Sequence, residues 1–171
     1  MELVDSILTR RSIRKFKEEH IPDEQLKKIL HAGMSSPSAK GGRPVEFIVV
    51  KDKEMLKSLC EGIPFWQTLK DADVCISVVA NLKDASEASQ TLYMLDCAAA
   101  TENILLAAHA QGIGACWLGT YRRSVQEERV KTLLKLPEDV LPVTTVALGL
   151  PAEDKNSILE YKDDKVHLEV Y

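Results

Sequence analysis

The stretch LYMLDCAAATENILLAAHA, residues 92–110, decides the fold of this chain. It predicts one long helix with apolar side chains on nearly every face, so the helix must be buried on more than one side. Asp96, Glu102 and Asn103 interrupt the apolar run, and no stretch approaches the roughly 20 apolar residues needed to cross a bilayer. A chain of 171 residues has little material to cover such a helix completely. We therefore expect a second subunit, most simply a copy of the same chain, to cover the remainder.

Shorter elements surround this helix. We predict strands at Val45–Val50 and at residues 74–80 and 144–150, a glycine-rich turn with a short strand at residues 112–119, and helices at residues 3–9, 22–33, 53–60 and 125–134. Residues 81–90 are polar and are expected to form an exposed, mobile segment, and the tail is expected to be irregular with strand character at residues 166–170. This order predicts one α+β or α/β domain, residues 1–171, with about four strands.

Composition excludes several classes of protein. Lys and Arg number 22 against 26 Asp and Glu, a net charge of -4, which argues against a broad nucleic-acid-binding surface. Cys60, Cys75, Cys97 and Cys116 form no C-x-x-C pair, so we expect buried, reduced thiols and no metal site. With no membrane span, the sequence predicts a soluble, cytoplasmic protein.

The stretch TRRSIRKF, residues 9–16, concentrates positive charge in this acidic chain. If its backbone is extended, Arg10, Ser12 and Arg14 point to one side. Two guanidinium groups and a hydroxyl on one face are well suited to bind a phosphorylated ligand. The alternative is a solvated loop whose charges pair with the two glutamates that follow.

Two further stretches are candidate ligand contacts. SPSAKGGRP, residues 36–44, is a turn-rich loop that leads into a strand, and its glycines would let a ligand approach the backbone closely. ACWLG, residues 115–119, could offer backbone N–H groups to a flat ligand. The alternatives are a surface turn for the first and a core strand with a packed tryptophan for the second. The motifs of serine hydrolases, zinc proteases and phosphate-binding loops are absent from the sequence.

Four segments occur in the order RRSIRKF, SPSAKGGRPVEFIVV, NILLAAHAQGIGACWLG and ALGLPAEDK, and they span nearly the whole chain. Together they resemble the motif blocks of the FMN-dependent nitroreductase family in its short form. The resemblance implies an α+β fold with a mixed central sheet of about four strands flanked by helices. It also implies a homodimer with two FMN sites at the subunit interface and a C-terminal tail that extends to the partner subunit.

The resemblance also implies roles for the basic stretch. Arg10 and Ser12 would hold the FMN phosphate and ribityl chain, and Arg11 would contribute mainly through its backbone. Arg14 would lie at the pyrimidine edge of the flavin ring, where a fixed positive charge stabilises the reduced, anionic flavin. Catalytic side chains are not expected, because the cofactor carries the chemistry.

The remaining implied contacts come from three places. Pro37, Ser38 and Ala39 would reach FMN from the opposite subunit, Trp117, Leu118 and Gly119 would lie along the ring, and Lys155 would be a second phosphate cation.

The sequence also departs from the family pattern. Gly41, Arg43 and Val45 stand where Asn, Gln and Trp are usual, and Arg43 adds a cation that could favour an anionic substrate or alter the flavin potential. The usual tail arginine is missing, and Lys155, or failing that Lys162, would take its place.

These residues predict an oxidoreductase in which NADH or NADPH reduces FMN and a small-molecule acceptor, such as a nitroaromatic compound or a quinone, is then reduced in a ping-pong cycle. Three alternatives stay open. One is a reductive dehalogenase or flavin-degrading enzyme of the same fold, and another is a protein that binds or sequesters flavin without turnover. The third is a module that binds a phosphorylated ligand at the basic stretch.

Overall fold

The computed structural model describes residues 3–155 and 160–171. The helices are α1 (Leu3–Thr9), α2 (Asp23–Met34), α3 (Lys53–Cys60), α4 (Glu87–Ala110) and α5 (Ser124–Leu133). The strands are β1 (Val45–Val50), β2 (Val74–Asn81), β3 (Gly114–Gly119) and β4 (Val140–Gly149). Short 3₁₀ segments lie at Ala39–Gly41, Pro64–Lys70 and Asp163–Lys165. The predicted α+β class is confirmed, and the bounds of β1 and α3 match the prediction.

The four strands form one sheet in the order β1-β2-β4-β3, and every neighbouring pair is antiparallel. The expected mixed sheet is therefore wrong for these strands. Among the described residues, parallel pairing is confined to an isolated bridge between Ser12 and Ala115. A strand that is apolar throughout is typical of a parallel sheet, but here it arises because helices cover both faces of an antiparallel one.

Strand β2 shows how the core divides into two layers. Its side chains alternate, so that Val74, Ile76 and Val78 belong to a cluster with α2 and α4. Cys75 points the other way, into a cluster that contains residues of α3 and Trp66. The sheet is thus sandwiched between α2 and α4 on one face and α3, α5 and the Pro64–Lys70 segment on the other.

The long helix begins earlier than the sequence predicted. Ser86 caps its first turn by accepting a hydrogen bond from the Ser89 N–H at 3.3 Å, and α4 starts at Glu87. Ser89 is buried. Half of the segment predicted at residues 81–90 therefore lies in regular elements, because Asn81 ends β2 and the last four residues belong to α4, whereas residues 82–86 connect the two.

Among residues 3–155 and 160–171, nothing covers one face of α4. Leu92 is 40% exposed and Leu95 is 65% exposed, and the neighbouring α1 exposes Leu3, Val4, Ile7 and Leu8 as well. The sheet and α2 bury the opposite face of α4, including Ile104. The described part of one chain therefore covers α4 on fewer sides than its apolar sequence predicts.

The C-terminal part differs from expectation at two points. Strand β4 begins at Val140, before the predicted residue 144, and it accommodates Pro142 where its pairing with β2 shifts register. The described tail, residues 160–171, contains the short 3₁₀ turn at Asp163–Lys165 and no strand, so the predicted strand at residues 166–170 is wrong.

The structure gives three further observations on the excluded classes. All four cysteines are buried and unbridged, and burial raises the pKa of Cys75 and of Cys97 to about 12. Across residues 3–155 and 160–171, His, Cys, Asp and Glu side chains form no group of three suited to a metal ion. None of the helices in those ranges combines the length and apolar character needed to cross a bilayer.

Candidate functional site

The basic segment, residues 10–17, lies along the free edge of the sheet. Its Ile13 N–H donates to the Ala115 carbonyl of β3 at 2.9 Å, and its Lys17 N–H donates to the Leu150 carbonyl at 2.9 Å. The Ala152 N–H donates back to the Lys15 carbonyl at 2.9 Å. These backbone bonds hold the segment from Ile13 to Lys17 against the sheet edge, as an extended backbone there requires.

Two glycines make room for this segment. A Cβ atom on Gly149 would lie 2.7 Å from Cγ of Phe16, and a Cβ atom on Gly114 would lie 2.9 Å from Cγ2 of Ile13. Real Cβ atoms essentially never approach a neighbour so closely. The apolar side chains of the basic segment therefore pack directly on the sheet backbone.

Glu153 and Lys155 fasten the segment from the tail side. Oε1 of Glu153 accepts hydrogen bonds from the backbone N–H groups of Arg14 at 2.6 Å and Lys15 at 3.3 Å. Nζ of Lys155 donates to the Ser12 carbonyl at 2.9 Å and lies 3.2 Å from the Glu153 carboxylate. The Arg14 N–H, followed by the Lys155 ammonium, holds the pKa of Glu153 below its usual range.

The cations of the segment have different surroundings. Nε of Arg10 lies 3.6 Å from the Glu102 carboxylate of α4, and Arg11 donates to the carbonyls of Leu8 at 3.0 Å and Arg10 at 2.6 Å. Arg14 is exposed, and its guanidinium reaches a backbone carbonyl of the segment only at 3.5 Å. Arg14 thus retains most of its donors for a ligand.

Four of the predicted site residues meet in one place. Arg14, Trp117, Leu118 and Gly119 line a cavity of about 610 Å³, which we name the Arg14 cavity. Trp117 is 37% exposed, which argues against a fully packed core tryptophan, whereas Leu118 is buried. The edge strand β3 therefore presents an aromatic side chain and a glycine backbone to a ligand beside a guanidinium.

Sequence reasoning missed the opposite wall of the Arg14 cavity. That wall includes Phe65 and Gln67 from the Pro64–Lys70 segment, together with Arg123 and Gln126 at the start of α5. The Thr68 hydroxyl donates to the Arg14 carbonyl at 2.8 Å and joins this wall to the basic segment. The proline and paired aromatics of IPFWQ mark a turn, but nothing local indicates which cavity it faces.

Other predicted residues lie in a neighbouring cavity. Arg11 and Lys155 line a cavity of about 380 Å³, which we name the Lys155 cavity, together with His109 of α4. Nε2 of His109 lies 2.8 Å from the Thr9 hydroxyl. Burial, reinforced by the charges of Arg10 and Arg11, lowers the pKa of His109. Arg11 and Arg14 therefore line different cavities. Arg10 and Ser12, in the same segment, are half-buried and line neither cavity.

The loop of residues 36–44 lies elsewhere, against α4. The Ala39 N–H donates to Oδ1 of Asp96 at 2.9 Å, and the Arg43 N–H donates to the Ser38 hydroxyl at 2.9 Å. Ser38 and Arg43 line a separate cavity of about 220 Å³, and Pro37 is exposed. One chain therefore does not bring this loop into the Arg14 cavity.

The backbone of this loop is strained. Lys40 and Arg43 have φ values of 47°, and Gly41 has a φ of 69°. Left-handed geometry costs a non-glycine residue roughly 1–2 kcal/mol. A Cβ atom on Gly42 would overlap the hydroxyl of Ser89, so the loop packs tightly on α4. The surrounding contacts hold the loop in a conformation that its sequence alone would not favour.

Comparisons with known proteins agree with this geometry. The model of the family described as "Nitroreductase family" matches residues 7–63 and 64–150. An Archaeoglobus fulgidus protein, provisionally named an NADH dehydrogenase/NAD(P)H nitroreductase, is 42% identical over 98% of both chains. A Clostridium difficile FMN-dependent nitroreductase has a TM-score of 0.88 and 31% identity, covering 98% of this chain and 99% of its own. A Desulfovibrio desulfuricans structure, provisionally described as a nitroreductase in complex with FMN, has a TM-score of 0.84 and 27% identity, covering 100% and 98%.

Proposed function

The chain belongs to the nitroreductase family, and on that premise we propose that it uses NADH or NADPH and FMN to reduce nitroaromatic, quinone or related acceptors. The observation that carries the proposal is the Arg14 cavity, where Arg14, Trp117 and Gly119 share one wall beside the basic segment. When bound, FMN accepts a hydride from the nicotinamide and passes reducing equivalents to the acceptor.

The residues of the site suit FMN in their chemistry. A planar ring system fits a cavity of about 610 Å³ bordered by an exposed tryptophan and an edge strand. The dianionic phosphate requires cations, and Arg10, Arg11 and Lys155 lie at the other end of the basic segment or beside it. We assign the ring to the Arg14 cavity and the phosphate to these three cations with Ser12.

Arg14 has a role beyond binding in this proposal. Its backbone is anchored, because its N–H donates to the Glu153 carboxylate and its carbonyl accepts from the Thr68 hydroxyl, and within residues 3–155 and 160–171 its guanidinium forms no ion pair. A fixed positive charge at the pyrimidine edge favours the negative charge that reduction places there. The open cavity would admit the nicotinamide and then the acceptor to the same face, which gives a ping-pong order.

The second subunit is part of the proposal. The exposed Leu92 and Leu95 on α4, with the apolar face of α1, form a surface suited to a copy of the same chain. Residues 37–39 lie outside the Arg14 cavity of their own chain, so we assign them to the site of the partner, with the tail extending across the interface. Sedimentation equilibrium should give twice the chain mass.

The visible spectrum of the purified protein tests the function directly. We expect yellow protein, or colourless protein that turns yellow with added FMN, and bleaching by NADH or NADPH without oxygen. Protein that stays colourless with FMN would overturn the proposal. Bound FMN that neither nicotinamide reduces would instead indicate flavin sequestration.

Buried, unbridged cysteines support our prediction of a cytoplasmic location.

A further inference from the structure

Arg123 lies where the Arg14 cavity meets the start of α5. It follows the turn after β3, in which its N–H donates to the Thr120 carbonyl at 3.1 Å. Its side chain lies over Gly119, since a Cβ atom there would be 3.3 Å from Nε of Arg123. The guanidinium therefore borders the predicted ring position at the end of β3, in the same cavity as Arg14.

Among residues 3–155 and 160–171, no group neutralises the charge of Arg123. Its guanidinium makes no hydrogen bond there, and no carboxylate lies within 4.0 Å of it. The neighbouring arginines differ. Arg122 donates to the Tyr121 hydroxyl at 3.2 Å and lies 5.5 Å from the centre of that ring, and Arg129 donates to two carbonyls at the end of α3.

The surroundings of Arg123 suit a planar anion. Phe65 is 84% exposed and Trp117 is 37% exposed, and both line the same cavity. Gln126, in the first turn of α5, adds a neutral amide donor, and among the described residues that line the cavity one, Asp71, is acidic. A guanidinium in such a setting binds a carboxylate or phosphate with two parallel hydrogen bonds.

We propose that Arg123 binds an anionic group on a substrate, either the nicotinamide or the acceptor, that enters the Arg14 cavity once FMN is in place. This inference rests on the proposed function. The anion has two sources with shared chemistry, namely the 2′-phosphate of NADPH or an acidic group on the acceptor. Arg123 would then set substrate preference while Arg14 acts on the flavin.

The proposal is tested by measuring kcat/KM of the Arg123→Gln and Arg122→Gln variants with two pairs of substrates that differ in one anionic group. One pair is NADPH against NADH, and the other is 4-nitrobenzoate against nitrobenzene. We expect Arg123→Gln to lower kcat/KM roughly tenfold for the member of at least one pair that carries the extra anionic group, NADPH or 4-nitrobenzoate, and less than twofold for the member that lacks it. Arg122→Gln should change neither, because its charge is held on Tyr121. The pair that responds identifies the source of the anion.

Calorimetric binding to the FMN-loaded protein gives a second readout. NADP⁺ against NAD⁺ and 4-nitrobenzoate against nitrobenzene should repeat the selective loss, and Arg123→Lys should retain part of the selectivity. This conservative variant also keeps the test valid if Arg123→Gln folds poorly. Equal losses within both pairs, or no loss in either, would overturn the assignment. Failure of the proposed function would look different, since the unmodified protein would then bind no FMN or reduce no acceptor.

Discussion

The basic segment (residues 10–17) and the loop of residues 36–44 both carry cations, and both are proposed to contact FMN, but the fold holds them in different ways. The basic segment is bonded backbone to backbone along β3 and at the end of β4. The loop depends on one buried carboxylate, Asp96, and on left-handed backbone at Lys40 and Arg43.

This difference indicates how each region tolerates change. The sheet fixes the basic segment, so a side chain there can be replaced without moving its neighbours. The loop takes its shape from packing on α4, so a small change beneath it should move several residues together. The basic segment also shares cavities with Trp117 and Lys155 inside one chain, whereas the loop lines a separate cavity. Changes in the loop should therefore report on the second subunit.

The largest expected effect comes from adding a methyl group beneath the basic segment. Gly149→Ala places a Cβ atom 2.7 Å from the Phe16 ring, and three atoms of that residue lie within 2.9 Å. Because the ring packs in the core, we expect the free energy of unfolding, measured in urea, to fall by about 1–3 kcal/mol. We also expect FMN affinity to fall sharply. Unchanged stability and FMN affinity would show that the sheet does not position the segment.

The matching change in the loop is Gly42→Ala. Its Cβ atom would overlap the Ser89 hydroxyl, so we expect lower thermal stability, weaker FMN binding and a shift toward monomer. The double variant Gly42→Ala/Ser89→Ala removes the overlapping oxygen and should recover most of the loss, as a double-mutant cycle would measure. Additive losses without recovery would refute the packing argument.

Next in size is the contrast between two cations of the basic segment. Arg10→Ala should weaken FMN binding roughly tenfold, because it removes a half-buried guanidinium from the proposed phosphate position. Lys15→Ala should change affinity less than twofold, since Lys15 is exposed and makes its hydrogen bonds through its backbone. Fluorescence titration with FMN measures both. Equal losses would contradict the one-sided geometry of the segment.

The elements that the sequence predicted well are those with local signals. Strand β1 and helix α3 match their predicted bounds, because β-branched residues mark one and Asp52 caps the other. Arg14 and Trp117 were predicted as ligand contacts from motifs, and they line one cavity.

The features that the sequence could not give depend on distant contacts. Glu153 reaches Arg14 across 139 positions, and Thr68 reaches it across 54. The Pro64–Lys70 segment forms a cavity wall only because the fold brings it opposite β3. Strand direction was missed for a related reason, since burial on both faces does not distinguish parallel from antiparallel pairing.

A smaller effect should follow from Glu153→Gln. The pKa of Glu153 is lowered by its hydrogen bonds, so its contribution is present above the ordinary pKa of 4.5 and is lost as pH falls toward the lower folded value. Between those values the unfolded chain binds more protons, and the wild-type protein should lose stability with acid. Glu153→Gln should flatten this limb in denaturation measured at pH 3–6. An unchanged acid limb would exclude the carboxylate as its source.

The smallest expected effect concerns His109 at the Lys155 cavity. Burial, followed by the charges of Arg10 and Arg11, lowers the pKa of His109 from 6.5. Its contribution to stability is therefore fully present above pH 6.5 and declines as pH falls below that value. In this range the unfolded chain binds more protons at this residue than the folded chain, by less than one proton. A bound phosphate would oppose this shift, because its negative charge favours the imidazolium. The FMN phosphate itself titrates near pH 6 and contributes equally in both proteins, so the wild-type protein should take up a larger fraction of a proton on binding FMN than His109→Asn does. Calorimetry in buffers of different ionisation enthalpy measures this difference. Equal proton uptake in both proteins would place the phosphate away from His109 and separate the Lys155 cavity from the flavin site.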